Sequence, residues 1–499
     1  MSLYWKCAAF ACLSAMLTTP VNAQPIGGGA PAKTPPPAAA SGNQAPAKTE
    51  TPATSSAQNT AGGEKDALVD AAAELFKAGK DEEAYKKLQE ASAKNDKLPP
   101  ARLMLHRMYL SSNRQAEARR AIELAAVENP DHPDIYITFA LQASSQNRYT
   151  DALLQYERAL KTVEDTKKWS EKQRNSVMLA CYSGLGQTAE ARQQYDVARK
   201  NYEAILKLDF PKKDLSGFKA ALGRVLFMLD KREDALKILQ EANADNPDME
   251  PAGVLMARLY TNKALQERDP AKQKELIAKA KEWFEYALKS DPKSHKAHIS
   301  YAVWLFDMNY LDKSFFPLSE EELKEANKLD QKAYDNRVLR GLMDRWTNNY
   351  EAAEQAFESV WKEKPDDFYA QNQLVLSLVE QKGNPAKMQR AMQLAEDNVR
   401  KHGQRVPEAS ATYGWVMFKN NRLDEAERAL QLSFQSGQFN ADALYYLSQV
   451  YRYRGKLTEA ADALKMAVGQ PGRFMYRKEA LLDLEQLSGN KPPVGAPSK

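Results

Sequence analysis

One feature limits what this chain can fold into more than any other: a spaced pattern of small and large residues that keeps returning. Leu105, His106, Tyr109, Ala118, Ile122, Ala125 and Pro130 have the same internal offsets as Leu222, Gly223, Leu226, Ala235, Leu239, Ala242 and Pro247. The pattern recurs as Phe139, Ala140, Ala143, Ala152, Tyr156, Ala159; as Met178, Leu179, Tyr182, Ala191, Tyr195, Ala198; and as Leu447, Ser448, Tyr451, Ala460, Leu464, Ala467. Self-similarity at a fixed period is the mark of a repeat architecture. Gly79, Asn113, Asn147, Gly186, Asn421 and Gly455 are read as the residues that open the short links inside the repeats.

The spacing has a physical meaning. Positions seven, eight and eleven of each unit share one face of a first helix, and positions twenty, twenty-four and twenty-seven share one face of a second, antiparallel helix. Small residues at eight, twenty and twenty-seven let the two backbones approach, and a large residue at eleven or twenty-four fills the groove that remains. A Pro after the second helix stops it and starts the next unit. One pair cannot bury both of its faces, so neighbours must stack. The 43% hydrophobic content is enough for such a distributed core, and only 22 Gly fit helices joined by very short links.

On these residues the sequence resembles the tetratricopeptide repeat family. The resemblance implies an all-α fold, an α-solenoid of about eleven helix-turn-helix units in a right-handed superhelix, with first helices lining the concave wall. Second-helix Ala marks are read at Ala84, Ala118, Ala152, Ala191, Ala235, Ala280, Ala353, Ala391, Ala426 and Ala460, with a degenerate unit near Ser314. Some units depart from the pattern. Extra residues fall within Thr261 to Lys279, between Leu305 and Ala326, and near Asn384-Pro385; His106 stands where a small residue is expected, and Asp344 where an aromatic is. Glu479 to Leu487, with Leu481, Leu482, Leu484 and Leu487, reads as part of a solvating cap helix.

The ends of the chain have a different composition. Lys6, an apolar run from Cys7 to Leu17, Pro20, and Val21 and Ala23 before Gln24 form the layout of a secretory signal peptide over residues 1–23. The apolar run, about 11 residues, is roughly half a membrane-spanning helix. Residues 24–63, rich in Pro, Ala and Thr, are expected to be a disordered linker with a root-mean-square span of roughly 35 Å as a flexible coil. The repeat solenoid is expected over 64–487 and a disordered tail over 488–499. Loss of the leader would leave Cys181 as the single thiol, read as a packed core residue.

Catalytic and metal-binding signatures are missing. There is no Gly-x-Ser-x-Gly, no phosphate-binding glycine loop and no His-Glu-x-x-His. His295 and His298 stand three apart, but read as a solvated helix start with one packed ring; Glu320-Glu321-Glu322 reads as a charged helix face. No enzyme activity, cofactor or metal is expected. The 70 Lys+Arg and 66 Asp+Glu are interleaved, which leaves no nucleic-acid footprint.

Recognition of protein or peptide partners remains. Groove positions of the family fall here on Arg107, Arg224, Arg258, Arg345, Trp346, Trp415, Phe418, Lys419, Tyr445, Arg452 and Tyr453, of which the Arg and aromatic residues are types that make strong interface contacts. The Lys and Asn pair with which some members grip a peptide carboxylate is not found at the matching positions. The expectation is an exported scaffold, periplasmic, in the cell envelope or secreted, binding partner segments in the groove. Two alternatives are a glycan- or peptidoglycan-associated module, with aromatic residues stacked on sugars, and an enzyme with a site in the irregular insertions. Salt separates the first from Arg-led binding, because screening weakens ion pairs and leaves stacking on a neutral glycan almost unchanged.

Overall fold

The computed structural model describes residues 66–164, 169–403, 405–435, 437 and 439–489. The expected signal peptide, the 24–63 linker and the tail beyond Gly489 lie outside the described residues. Among the described residues the chain forms α-helices and links, with no strand.

Two compact units divide at Ala252 and Gly253. The amino-terminal unit holds five helix pairs: α1 (Ala67–Lys77) with α2 (Asp81–Lys94), α3 (Ala101–Ser111) with α4 (Gln115–Glu128), α5 (Pro133–Ser145) with α6 (Tyr149–Glu164), α7 (Glu171–Ala191) with α8 (Tyr195–Ile205), and α9 (Lys212–Met228) with α10 (Arg232–Asp245). In the carboxyl-terminal unit six pairs follow: α11 (Ala252–Gln266) and α12 (Pro270–Ser290), α13 (His295–Met308) and α14 (Phe315–Leu329), α15 (Tyr334–Trp346) and α16 (Tyr350–Glu363), α17 (Phe368–Val379) and α18 (Pro385–His402), α19 (Pro407–Lys419) and α20 (Leu423–Ser433), α21 (Ala441–Tyr453) and α22 (Leu457–Gly469). A last helix, α23 (Arg477–Ser488), closes that unit where the cap is expected. Within each unit successive pairs stack, the α-solenoid arrangement that the period implies.

The contact that joins a pair runs from position eight to position twenty-four. Added Cβ atoms on Gly186, Gly223, Gly341 and Gly414 would meet Tyr202, Leu239, Phe357 and Leu430 at 2.7 to 2.8 Å, closer than any real side chain sits. Each of these partners lies sixteen residues after its glycine. Where position eight is not small, polar groups settle the fit. His106 is buried, and its Nδ1 donates to the Ala118 carbonyl at 2.7 Å; burial lowers its pKa and favours the neutral ring. In the insertion-bearing α13 and α14 pair the polar residue is on the second helix instead, where Ser319 donates to the Ala302 carbonyl at 2.6 Å.

The links need a left-handed residue to reverse direction in so few steps. Asn113, Asn147, Asn348, Asn421, Gln193 and Asp230 have φ between 58° and 63°, and Gly79 and Gly455 sit at 76° and 75°. Asn and Gly tolerate this region best.

Three sequence expectations are corrected. Gly186 does not open a link; it lies within α7, and Gln193 makes the turn. The unit read at Met178 to Ala198 is in register seven residues later, as Leu185, Gly186, Ala189, Ala198, Tyr202 and Ile205, so its mark is Ala198 and not Ala191. Seven residues is close to two helical turns, so a long α7 presents the same face twice. In the degenerate unit the small second-helix residue is the fully buried Ser319, while Ser314 only precedes α14.

The departures from the pattern are absorbed in helix length. The Thr261 to Lys279 insertion extends α11 to Gln266 and lengthens α12 to 21 residues, with Asp269 capping Ala271 N at 2.9 Å and Pro270 at the first turn. Asp344 is buried and paired to Arg340, which itself replaces the apolar residue of position seven. Two irregular residues thereby compensate one another.

Gly184 sets up a direct test of close packing between neighbouring pairs, since a Cβ there would lie 2.1 Å from the Tyr156 ring. Gly184→Ala should lower unfolding stability by about 1 to 3 kcal/mol despite its better helix propensity, whereas Gly469→Ala, with open space around it, should not. Denaturant midpoints measure both, and an unshifted Gly184→Ala midpoint would contradict the packing. Cys181 is fully buried, and burial pushes its thiol up to about 12. Iodoacetamide should therefore leave it unmodified at pH 8 in the folded chain and label it in denaturant, as mass spectrometry would read.

Candidate functional site

The groove positions behave differently in the two units. In the amino-terminal unit Arg107 is half-buried on α3, and Arg224 on α9 donates twice to Glu190 of α7, at 2.7 and 2.9 Å. Arg224 therefore ties neighbouring first helices together. Leu110 and Leu141, at positions twelve and nine of α3 and α5, are 40% and 57% exposed.

In the carboxyl-terminal unit Arg258 lies half-buried on α11, and Trp346 packs edge-on against Phe306 with ring centroids 5.8 Å apart. Arg345, Trp415 and Tyr445 come together in one buried cluster. Trp415 is 3% exposed and Tyr445 8%. The Trp415 ring stacks on Tyr446 at 4.4 Å and on Phe418 at 5.3 Å, and its indole N–H donates to Glu380 at 2.8 Å. Lys419 pairs with the other oxygen of Glu380 at 2.8 Å. Tyr445 stacks on Tyr476 at 4.7 Å. Arg345 donates to Gln373 and carries its charge near Asp442 and Glu380. Arg452 pairs with Asp483 of α23 at 2.5 Å, and Tyr453, 50% exposed, meets Phe418 edge-on.

The partner of this cluster is the chain itself. Between α22 and α23, residues 470–476 leave the repeat path and cross the first helices. Arg473 pairs with Asp307 of α13 at 3.1 Å. The Phe474 ring is 1% exposed within the core of the unit. The Met475 backbone N–H donates to Asp442 of α21 at 3.0 Å, and the Tyr476 hydroxyl donates to Glu380, just after α17, at 3.0 Å. Arg477 clasps the segment from behind, donating to the carbonyls of Val468, Gln470 and Gly472 at 2.8, 2.7 and 3.2 Å. Burial raises the Asp442 and Asp307 carboxyls, with Arg345 and Arg473 respectively acting in opposition, and burial holds the Tyr446 and Tyr476 phenols well above their ordinary range.

Sequence reasoning found half of this cluster. Glu380, Asp442, Tyr446 and Tyr476 were not among the groove positions, and the run Arg473-Phe474-Met475-Tyr476-Arg477 after Pro471-Gly472 was the available signal. Such a run lies outside any repeat position yet is too apolar and aromatic for an idle link. His298 bonds to Glu322 at 2.7 Å and to the Pro292 carbonyl at 3.1 Å, and His295 to Asn336 at 3.0 Å, so the two rings have separate partners. Among the described residues no group of three or more His, Cys, Asp or Glu could hold a metal ion, and no helix is long and apolar enough to cross a membrane.

Residues 399–473 match the family model for the tetratricopeptide repeat. No curated protein matches the sequence. Among solved structures, yeast Tom70 is similar at 13% identity, over 85% of this chain and 95% of that one, with a TM-score of 0.33. A tetratricopeptide repeat protein from Parabacteroides merdae is similar at 14% identity, over 54% of this chain and 98% of that one, with a TM-score of 0.34. Pseudomonas aeruginosa pilF is similar at 18% identity, over 47% and 97%, with a TM-score of 0.30. Scores below 0.5 give these likenesses no weight for what the chain binds. Residues 399–473 are thus shown to carry the tetratricopeptide repeat, and the position-eight to position-twenty-four contact that packs that region recurs in both units.

Proposed function

We propose that this chain is an exported scaffold that collects protein segments on the first-helix faces of its repeats, in the periplasm, the cell envelope or outside the cell. The single observation behind the binding surface is that groove positions of α3 and α5 leave Leu110 and Leu141 40% and 57% exposed, with the half-buried Arg107 one turn before Leu110 on α3. Apolar side chains that fold inward gain about 25 cal/mol per Å² of area removed from water, so leaving two of them out on first helices forgoes stability that an incoming segment recovers. Arg adds planar, multi-donor recognition to that apolar patch. The signal-like start and the Pro/Ala/Thr-rich linker support export with a flexible arm. Glycan stacking has little support in the carboxyl-terminal unit, where Trp415 and Tyr445 already spend their ring faces on neighbouring rings.

Crosslinking in the native envelope tests the surface. The full chain should capture partner proteins, and Arg107→Ala with Leu141→Asp should lower the yield about tenfold, equivalent to roughly 1.4 kcal/mol, with the thermal midpoint unchanged. Unchanged capture by the double variant would remove this face from the proposal. Export is checked separately by fractionation and the amino-terminal sequence of the cellular protein. A mature chain beginning at Gln24 is expected, and an intact Met1 in the cytosolic fraction would refute export.

A further inference from the structure

The link between α22 and α23 is distinguished by where its residues go. In this unit the step from a second helix to the next first helix takes four residues at 291–294, 330–333, 364–367 and 403–406 and seven at 434–440 and 470–476; the last carries Pro471 and a left-handed Gly472 at φ 87°. The extra length carries four successive residues into four different receptors. Arg473 reaches a carboxylate on α13, Phe474 fills an apolar slot, the Met475 backbone finds a carboxylate on α21, and the Tyr476 phenol finds one after α17 while its ring stacks on α21 and meets Trp415 of α19. A passive cap would need apolar contact alone. Specific acceptors for a guanidinium, a backbone amide and a phenol are what a peptide-binding face offers its peptide.

The charge count points the same way. Asp307, Glu380 and Asp442 face the segment, and Arg345 and Lys419 offset two of these three carboxylates, leaving one to be matched by Arg473. The face is thus complementary to a segment with one basic residue followed by aromatic rings, and repels an acidic one.

We propose that residues 470–476 are a built-in ligand that keeps the first-helix face of the carboxyl-terminal unit closed. The partner admitted there is a protein segment of the form Arg-aromatic-x-aromatic, and it enters only as residues 470–476 leave. This rests on reading the chain as a protein-binding scaffold, but its test needs no cellular partner.

The probe is a fluorescent peptide of residues 470–478, titrated by anisotropy into the full chain and into the full chain carrying Arg473→Ala, Phe474→Ala and Tyr476→Ala. The triple variant should bind the peptide at least tenfold more tightly than the unsubstituted chain, and a peptide with the same three positions as Ala should not bind. Hydrogen exchange at the Met475 amide should be slow in the unsubstituted chain and fast in the variant. A folded triple variant that binds no better, or a Met475 amide that exchanges freely in the unsubstituted chain, overturns the proposal. If the triple variant loses its helical circular dichroism, Arg473→Ala with Tyr476→Phe keeps the rings and must still raise peptide affinity at least threefold. Failure here with intact envelope capture by the amino-terminal face would refute the built-in ligand alone.

Discussion

Each pair in this chain depends on one short contact: the missing or minimal side chain at position eight of a first helix, which lets the large side chain at position twenty-four lie against bare backbone. Gly186 under Tyr202, Gly341 under Phe357 and Gly414 under Leu430 are the same joint made with different fillers. Close approach turns many weak dispersion contacts into a stiff pair, and the pair then offers its neighbour a fixed surface. Within each unit, the stacking of pairs follows from that joint. His106 shows its tolerance, since a polar residue is accepted there when a carbonyl across the gap takes its hydrogen bond.

On the first-helix face of the carboxyl-terminal unit the same regular spacing carries an irregular load. Arg345 is buried and Asp442, Asp307 and Arg473 are partly buried charges in an apolar and aromatic setting. Such ions gain little over a well-packed apolar replacement, but losing one member of a set strands the others. That arrangement adds little to stability and much to selectivity, because a segment with the wrong charge leaves an unmatched ion behind. Charge is therefore better explained here as recognition than as reinforcement.

The sequence made the architecture legible because helical period, small-residue spacing and turn residues agree with one another in nearly every unit. Its error at Gly186 came from the same periodicity: a face repeats after two turns, so a long α7 offers two acceptable registers, and only the partner helix distinguishes them. At Asp344 a residue that looks disqualifying is made acceptable by Arg340, four positions earlier and itself out of pattern. The buried aromatic cluster was legible only on its repeat side. Trp415, Tyr445 and Arg345 fall on family positions, but their companion Tyr476 lies in a link, where no period predicts which face a side chain meets. Long-range pairings such as Arg473 with Asp307 depend on how far the chain turns back, which local spacing does not encode.

The joining of the cap helix to the segment that crosses the groove has a kinetic and concentration-dependent side. A segment joined directly to α22 and α23 never diffuses away, so it competes at an effective concentration in the millimolar range however dilute the protein is. Any free rival is measured against that fixed local concentration, and its observed affinity falls short of its intrinsic one by the corresponding factor. Occupancy of this face is thereby insensitive to weak, abundant sequences and responsive to a rival that is either tightly complementary or itself delivered by a tether.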